Sequence, residues 1–131
     1  MNAIDTNMLA RYLRDDDPDQ SRRAARLIQR ATSLGEPLLV NHVVLAELAW
    51  ILDSVYEHTK EEITSTIEAV LHTAQLRVED PASVAAALDY YRTSKAGFAD
   101  CLIGRRNRAA GCRATISFDR RLRPLTTFEV M

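Results

Sequence analysis

Asp5, Glu47, Asp100 and Asp119 each break or close an apolar stretch. Asp5 ends Met1-Asn2-Ala3-Ile4, and Glu47 lies inside the run from Val43 to Leu52. Asp100 is wedged into Phe98-Ala99-Asp100-Cys101-Leu102-Ile103, and Asp119 closes Ala114-Thr115-Ile116-Ser117-Phe118. A carboxylate in apolar surroundings without a partner is costly and tends to neutralise itself. Four such groups in four separate segments point to a shared partner, and the least costly is a divalent cation. Carboxylate, water and phosphate oxygens suit hard ions such as Mg²⁺ or Mn²⁺. Four acids hold one such ion, or two about 3.5–4 Å apart, an arrangement suited to displacement at phosphorus.

Polar neighbours are in place to support such a centre. Thr6, Asn7, Thr115 and Ser117 lie close enough in sequence to orient the acids or a water, although each also suits an ordinary turn or cap hydrogen bond. Other chemistries fit less well. His42, His58 and His72 lack zinc-type spacing, and the chain has no P-loop, no GxGxxG and no GxSxG elbow.

These residues must be positioned by elements that the sequence marks out. Asn2-Ala3-Ile4 reads as a short strand leading into a helix from Thr6 to Arg14. Asp17 before Pro18 starts a second helix, which stops at Gly35. Pro37 to Val40 reads as a buried strand, followed by a helix from about Val43 to Val55. Thr59 and Glu62 form a capping-box pattern for a helix through about Thr73. Leu76 to Val78 is a weak strand. Pro81 opens a helix to about Arg92, and another runs from about Ala99 to Ala110 before Gly111. Ala114 to Phe118 is a strand, and Phe128 to Val130 a last edge strand. This alternation predicts a three-layer α/β/α sandwich with a central, mainly parallel sheet.

In such a sheet, ligands bind beyond the carboxyl ends of the strands. Asp5 and Asp119 fall at strand ends, so they are expected to meet there. Asp100 falls in a first helical turn, where the dipole favours an anion. Val43 and Trp50 lie on one side of Glu47 and Val44, Leu48 and Ile51 on the other, which embeds Glu47 in an apolar arc. The spacing of Ile63, Ile67, Val70 and Leu71 suits either the core or a partner.

The 131 residues are expected to form one domain, 1–131, with 47% hydrophobic and 27% charged residues, as in a soluble globular protein. With no spanning apolar run and no signal-type opening, a cytoplasmic protein is expected. Cys101 and Cys112 are too few for a disulfide framework and read as buried small side chains. The net charge of −1 hides an asymmetry. Residues 1–80 carry 8 Lys/Arg and 14 Asp/Glu, whereas residues 81–131 carry 9 and 4. Much of the excess is Arg105, Arg106, Arg108, Arg113, Arg120, Arg121 and Arg123, around Asp100 and Asp119. That cluster is either a solvated, salt-bridged face or a surface for nucleic acid or an acidic partner.

Asp5-Thr6-Asn7, a helical Glu47, Phe98-Ala99-Asp100 before Leu102-Ile103, and Ser117-Phe118-Asp119-Arg120 together resemble the PIN-domain ribonucleases. The length and the closing Phe118-Asp119-Arg120-Arg121-Leu122 resemble the VapC-type toxins of toxin–antitoxin pairs. The resemblance covers essentially the whole chain; the position of Ser117 is often threonine in that family. It implies that Asp5, Glu47, Asp100 and Asp119 bind Mg²⁺ or Mn²⁺ and support endonucleolytic RNA cleavage, with Asn7 and Ser117 orienting the acids. It further implies a homodimer, and a VapB-type antitoxin whose tail blocks the groove beside the acids. Arg105, Arg108, Arg120 and Arg121 become candidates for contacts with RNA phosphate or antitoxin carboxylates. The alternatives are a PIN-type RNA-processing nuclease without an antitoxin and a catalytically silent protein-binding module. A phospho-receiver domain fits poorly, because no lysine follows the strand at 114–118.

Overall fold

The computed structural model describes residues 1–14 and 16–131. Its helices are α1 (Thr6–Leu13), α2 (Pro18–Leu34), α3 (His42–Ser54), α4 (Lys60–Leu71), α5 (Pro81–Thr93) and α6 (Phe98–Ala109). Its strands are β1 (Leu38–Val40), β2 (Leu76–Val78), β3 (Thr115–Ser117) and β4 (Phe128–Val130). The local signals explain most of the boundaries. Asp17 caps α2 through the Gln20 amide, Pro18 occupies its first turn, and Gly35 ends it with φ +64°, a left-handed conformation that favours glycine. Thr59 and Glu62 form a reciprocal capping box on α4. One short element was not expected, a 3-10 turn over Arg120–Leu122.

Among the described residues all strand pairing is parallel, in two two-stranded sheets: β1 with β2 in register Leu38–Leu76 to Val40–Val78, and β3 with β4 from Thr115–Phe128 to Ser117–Val130. The expected first strand, Asn2 to Ile4, is reduced to a single parallel bridge between Ala3 and Leu39. The Ile4 amide donates to the Leu39 carbonyl and the Leu39 amide to the Asn2 carbonyl. The chain turns into α1 at once, because Asp5 already caps that helix through the Met8 amide.

The core gathers one face from each helix, with Leu9, Ile28, Leu45, Leu48, Ile67, Val84, Leu88 and Leu102 among its members. Ile63, Ile67 and Val70 are buried in it and Leu71 packs against it, which decides their role within the chain. Cys101 is buried as expected, and burial pushes its thiol up to about 11. Cys112 is exposed, contrary to expectation, because it falls beyond the end of α6 where nothing covers it.

Gly104 marks the closest approach of α6 to the second ladder. A Cβ there would lie 2.6 Å from Thr127 Oγ1 and 2.7 Å from a Phe128 ring carbon. Glycine in a helix interior ordinarily costs about 1 kcal/mol relative to alanine. Here overpacking, typically about 1–3 kcal/mol, opposes that gain. Gly104→Ala is therefore expected to lower, not raise, the midpoint of denaturant unfolding.

Candidate active site

α3 presents two unlike faces. Val44, Leu45, Leu48, Ala49 and Leu52 face the core, whereas Val43, Glu47 and Trp50 are exposed, Trp50 to 66%. Glu47 is thus at the surface and not embedded in an apolar arc. The helix is apolar nearly all round, so periodicity could not tell which apolar stripe faces inward. Its N-cap is Asn41, whose side chain accepts from the Val44 amide.

The other acids are also nearer to solvent than their apolar neighbours imply. Asp5 is exposed, and Asp100 and Asp119 are half-buried. The apolar residues flanking each acid turn away from it into the core, as Ile4, Phe98 and Leu102 do, or remain exposed, as Phe118 does at 82%. The premise that these carboxylates are buried is corrected accordingly; what they share is an accessible position.

Glu47 and Asp119 are each held by a different partner, and no contact joins one of the four acids to another among the described residues. Buried Thr6 donates from Oγ1 to Glu47 Oε1 at 3.0 Å, linking the start of α1, beside Asp5, to the outer face of α3. Asp119 is gripped by Arg121: Arg121 Nη2 donates to Oδ2 at 2.7 Å, Nε to Oδ1 at 3.1 Å, and the Arg121 amide to Oδ1 at 3.0 Å. Ser117 Oγ accepts from the Asp119 amide at 3.0 Å, fixing the backbone there. Asp100 makes no hydrogen bond among the described residues and sits in the first turn of α6, whose cap, Gly97, offers no side-chain bond.

Arg121 is the electrostatic hinge between the two later acids. Its side-chain hydrogen bonds, joined by its backbone amide, hold the Asp119 carboxyl below its ordinary value. Its own guanidinium is raised, chiefly by Asp119, with a smaller contribution from the field of Asp100. Because the folded-state value of Asp119 is depressed, the pair's contribution to stability is complete above the pH at which an unfolded-chain aspartate titrates. It fades as pH falls through the folded-state value. Arg121→Ala is expected to move the Asp119 carboxyl upward towards its ordinary value in an NMR titration. An unmoved titration would show that Arg121 does not hold it.

A cleft of 420 Å³ opens beside these groups. It is lined by the first turn of α6 from Gly97 to Asp100, by Ala46, Ala49, Trp50 and Asp53 of α3, and by Lys95 and Arg121. Asp100 and Arg121 therefore face one space with Ala46, Trp50 and Asp53 of α3, whereas Glu47 is not among its lining residues.

The remaining candidates divide. Thr6, one of several hydroxyls near the acids, is the one that bonds an acid, whereas Asn7 bonds none of the four among the described residues and lines a separate cleft with Arg11 and Arg23. Arg108 donates to the Thr126 carbonyl at 2.8 Å, and Arg105 is half-buried with a buried Nε lacking a hydrogen bond. Arg106 donates to His42 Nδ1 and to Glu79 at 3.3 Å. His42 is buried, with its other ring nitrogen donating to the Glu79 carbonyl, a satisfied core histidine as its lack of metal spacing implies. Of the arginine cluster, Arg120 and Arg121 lie beside the acids in the 3-10 turn that Asp119 caps.

Carboxylate oxygens are the right donors for a hard cation, and several remain available. Asp5 Oδ2, Glu47 Oε2 and both Asp100 oxygens accept no hydrogen bond among the described residues, and the Arg121 guanidinium supplies a positive charge to Asp119 where a cation would. The set fits such an ion in kind. It is not closed around one: among the described residues no three His, Cys, Asp or Glu side chains form a ready-made metal cluster.

The short parallel strands and six helices among the described residues define a compact α/β domain of α/β/α type. The family model of the PIN domain matches residues 3–126, and the chain belongs to the PIN domain family. PIN domains are in general nucleases that use divalent metal ions. No curated protein matched the chain. No helix among the described residues is long and apolar enough to cross a membrane.

Proposed function

We propose that the protein is a Mg²⁺- or Mn²⁺-dependent endoribonuclease, acting in the cytoplasm as the toxin of a toxin–antitoxin pair. The observation that carries the nuclease reading is the opening of Asp100 and Arg121 onto one cleft, with Asp119 held against Arg121. Asp5, Glu47, Asp100 and Asp119 would hold the ion. Bound there, it supplies Lewis acidity towards a phosphodiester and an activated water. Thr6 orients Glu47, and Ser117 fixes the backbone that presents Asp119. Arg121 pairs with Asp119 in the free protein and would serve as a contact for a phosphate oxygen of RNA.

The toxin role rests on the order and spacing of the short motifs and on the closing Phe118-Asp119-Arg120-Arg121-Leu122. The same reading assigns a homodimer and a VapB-type antitoxin whose acidic groups would meet Arg120 and Arg121. The nuclease reading is tested by incubating purified protein with RNA, with Mn²⁺ or Mg²⁺ and with chelator. Cleavage that appears with the ion and vanishes with chelator is expected; cleavage indifferent to chelator would overturn the metal requirement. A small reading frame immediately upstream, whose product co-purifies with the protein and suppresses cleavage, is the expected sign of the antitoxin. A nuclease with no such neighbour is an RNA-processing enzyme instead.

A further inference from the structure

Trp50 is the chain's only tryptophan, and it stands two-thirds exposed at the rim of the cleft that holds Asp100 and Arg121. An exposed indole there offers a flat aromatic face to whatever enters the cleft. A second cleft, of 530 Å³, abuts the first and shares Lys95 and Arg121 with it; Arg120 and Pro124 continue its wall. The two clefts adjoin at Lys95 and Arg121 and are taken together as one groove, with Trp50 and Asp100 lining the first and Arg120 the second.

The cations in this groove are not equivalent. Arg92 is bound to Asp89 and Glu68, and Arg121 to Asp119. Lys60, in the first cleft, donates to the carbonyls of Tyr91 and Ser94 and lies over the Tyr91 ring. Lys95 and Arg120 are exposed and have no hydrogen-bond or ion-pair partner among the described residues. Two unpaired cations and an exposed indole lining adjoining clefts match a single-stranded polynucleotide. Its phosphates need cations, and its unstacked bases need an aromatic face. A duplex hides its bases and cannot use the indole.

We infer that this groove is the single-strand track of the enzyme, with one base stacked on Trp50 and the adjoining phosphates carried by Lys95 and Arg120. The inference deepens the nuclease reading and rests on it for the identity of the polymer as RNA. Trp50, Lys95 and Arg120 are positioning residues: they set where the strand lies relative to Asp100.

Because Trp50 is the sole tryptophan, its own fluorescence reports the contact. Full-length Asp100→Asn protein, titrated with a short single-stranded RNA, is expected to show quenching, and the same sequence as duplex is not. Trp50→Ala is expected to weaken binding, read by anisotropy of labelled RNA, roughly 5- to 100-fold, with Trp50→Phe recovering most of the loss. Lys95→Gln and Arg120→Gln are each expected to reduce the slope of log affinity against log salt by about 0.7, the value for one phosphate contact to a single strand. Binding without quenching, equal binding of duplex, or unchanged affinity in Trp50→Ala would overturn the track. So would a change in Trp50 fluorescence on raising protein concentration without RNA, which would assign the indole to self-association. Cleavage by the wild type, measured separately, keeps the two readings apart. Cleavage without quenching sinks the track alone, whereas quenching without cleavage sinks the nuclease reading and leaves the groove as a binding site.

Discussion

Asp100→Asn is expected to lower RNA cleavage by about 10²- to 10³-fold, the range in which removal of one preorganised electrostatic group at a reacting centre falls. The substitution preserves shape and removes only charge. Asp100 accepts no hydrogen bond among the described residues, so no packing or capping contact is lost with it. Its structural contributions are to the dipole of α6, typically about 0.3–1 kcal/mol for an acid in a first turn, and a minor field at Arg121. The thermal midpoint is therefore expected to move by only a few degrees while activity collapses. Single-turnover cleavage with Mn²⁺, read beside a melting curve, separates the two effects. Activity within a few-fold of wild type would remove Asp100 from the site. Equal loss of activity and fold would make it a structural residue.

The largest stability effect is expected on the opposite face of the neighbouring helix. Leu45 is fully buried in α3, two residues before the exposed Glu47. Leu45→Ala removes buried methyl groups and leaves a cavity in a core that the surrounding helices hold rigidly, at a cost of about 2–5 kcal/mol. For a chain of this size that lowers Tm by about 10 °C or more. The exposed Val43 on the same helix provides the contrast: Val43→Ser is expected to change stability by no more than about 0.5 kcal/mol. Urea unfolding of the two variants tests the orientation of α3 directly. Similar losses at both positions would mean that the helix is rotated and that Glu47 does not face solvent.

That orientation is where sequence reading stopped. Helix starts and stops are local events, and the residues that make them are neighbours in the chain. Asp17 and Pro18, the Thr59–Glu62 box and Gly35 could be recognised because a cap bonds an amide two or three residues away. The parallel pairing of β1 with β2 followed from the alternation of elements, since helices carry the chain back between them, whereas β3 and β4 pair in parallel across a connection that holds only the 3-10 turn. Gly104 carried no such signal: its need arises from Thr127 and Phe128, more than twenty positions on.

The residue types of the candidate site were likewise legible. Four acids in separate segments, a serine before Asp119 and arginines after it were visible as residue types, and Ser117 and Arg121 do contact Asp119. Their environment was not. Apolar neighbours in sequence made the acids look buried, but consecutive side chains on a helix or strand point in different directions, so an apolar neighbour says little about an acid's own exposure. The arginine cluster had the same ambiguity, and partners distant in sequence resolved it: His42 and Glu79 took Arg106, and Thr126 took Arg108.

By itself, then, the sequence determined the order of the elements, the parallel α/β class and which acids were available, because caps, turn residues and alternation act between neighbours. Only the tertiary structure decided that Thr6 reaches Glu47 across 41 positions, that Arg121 grips Asp119, and that Trp50 looks onto the cleft of Asp100. Those are contacts between segments that chain entropy keeps apart until the core brings them together.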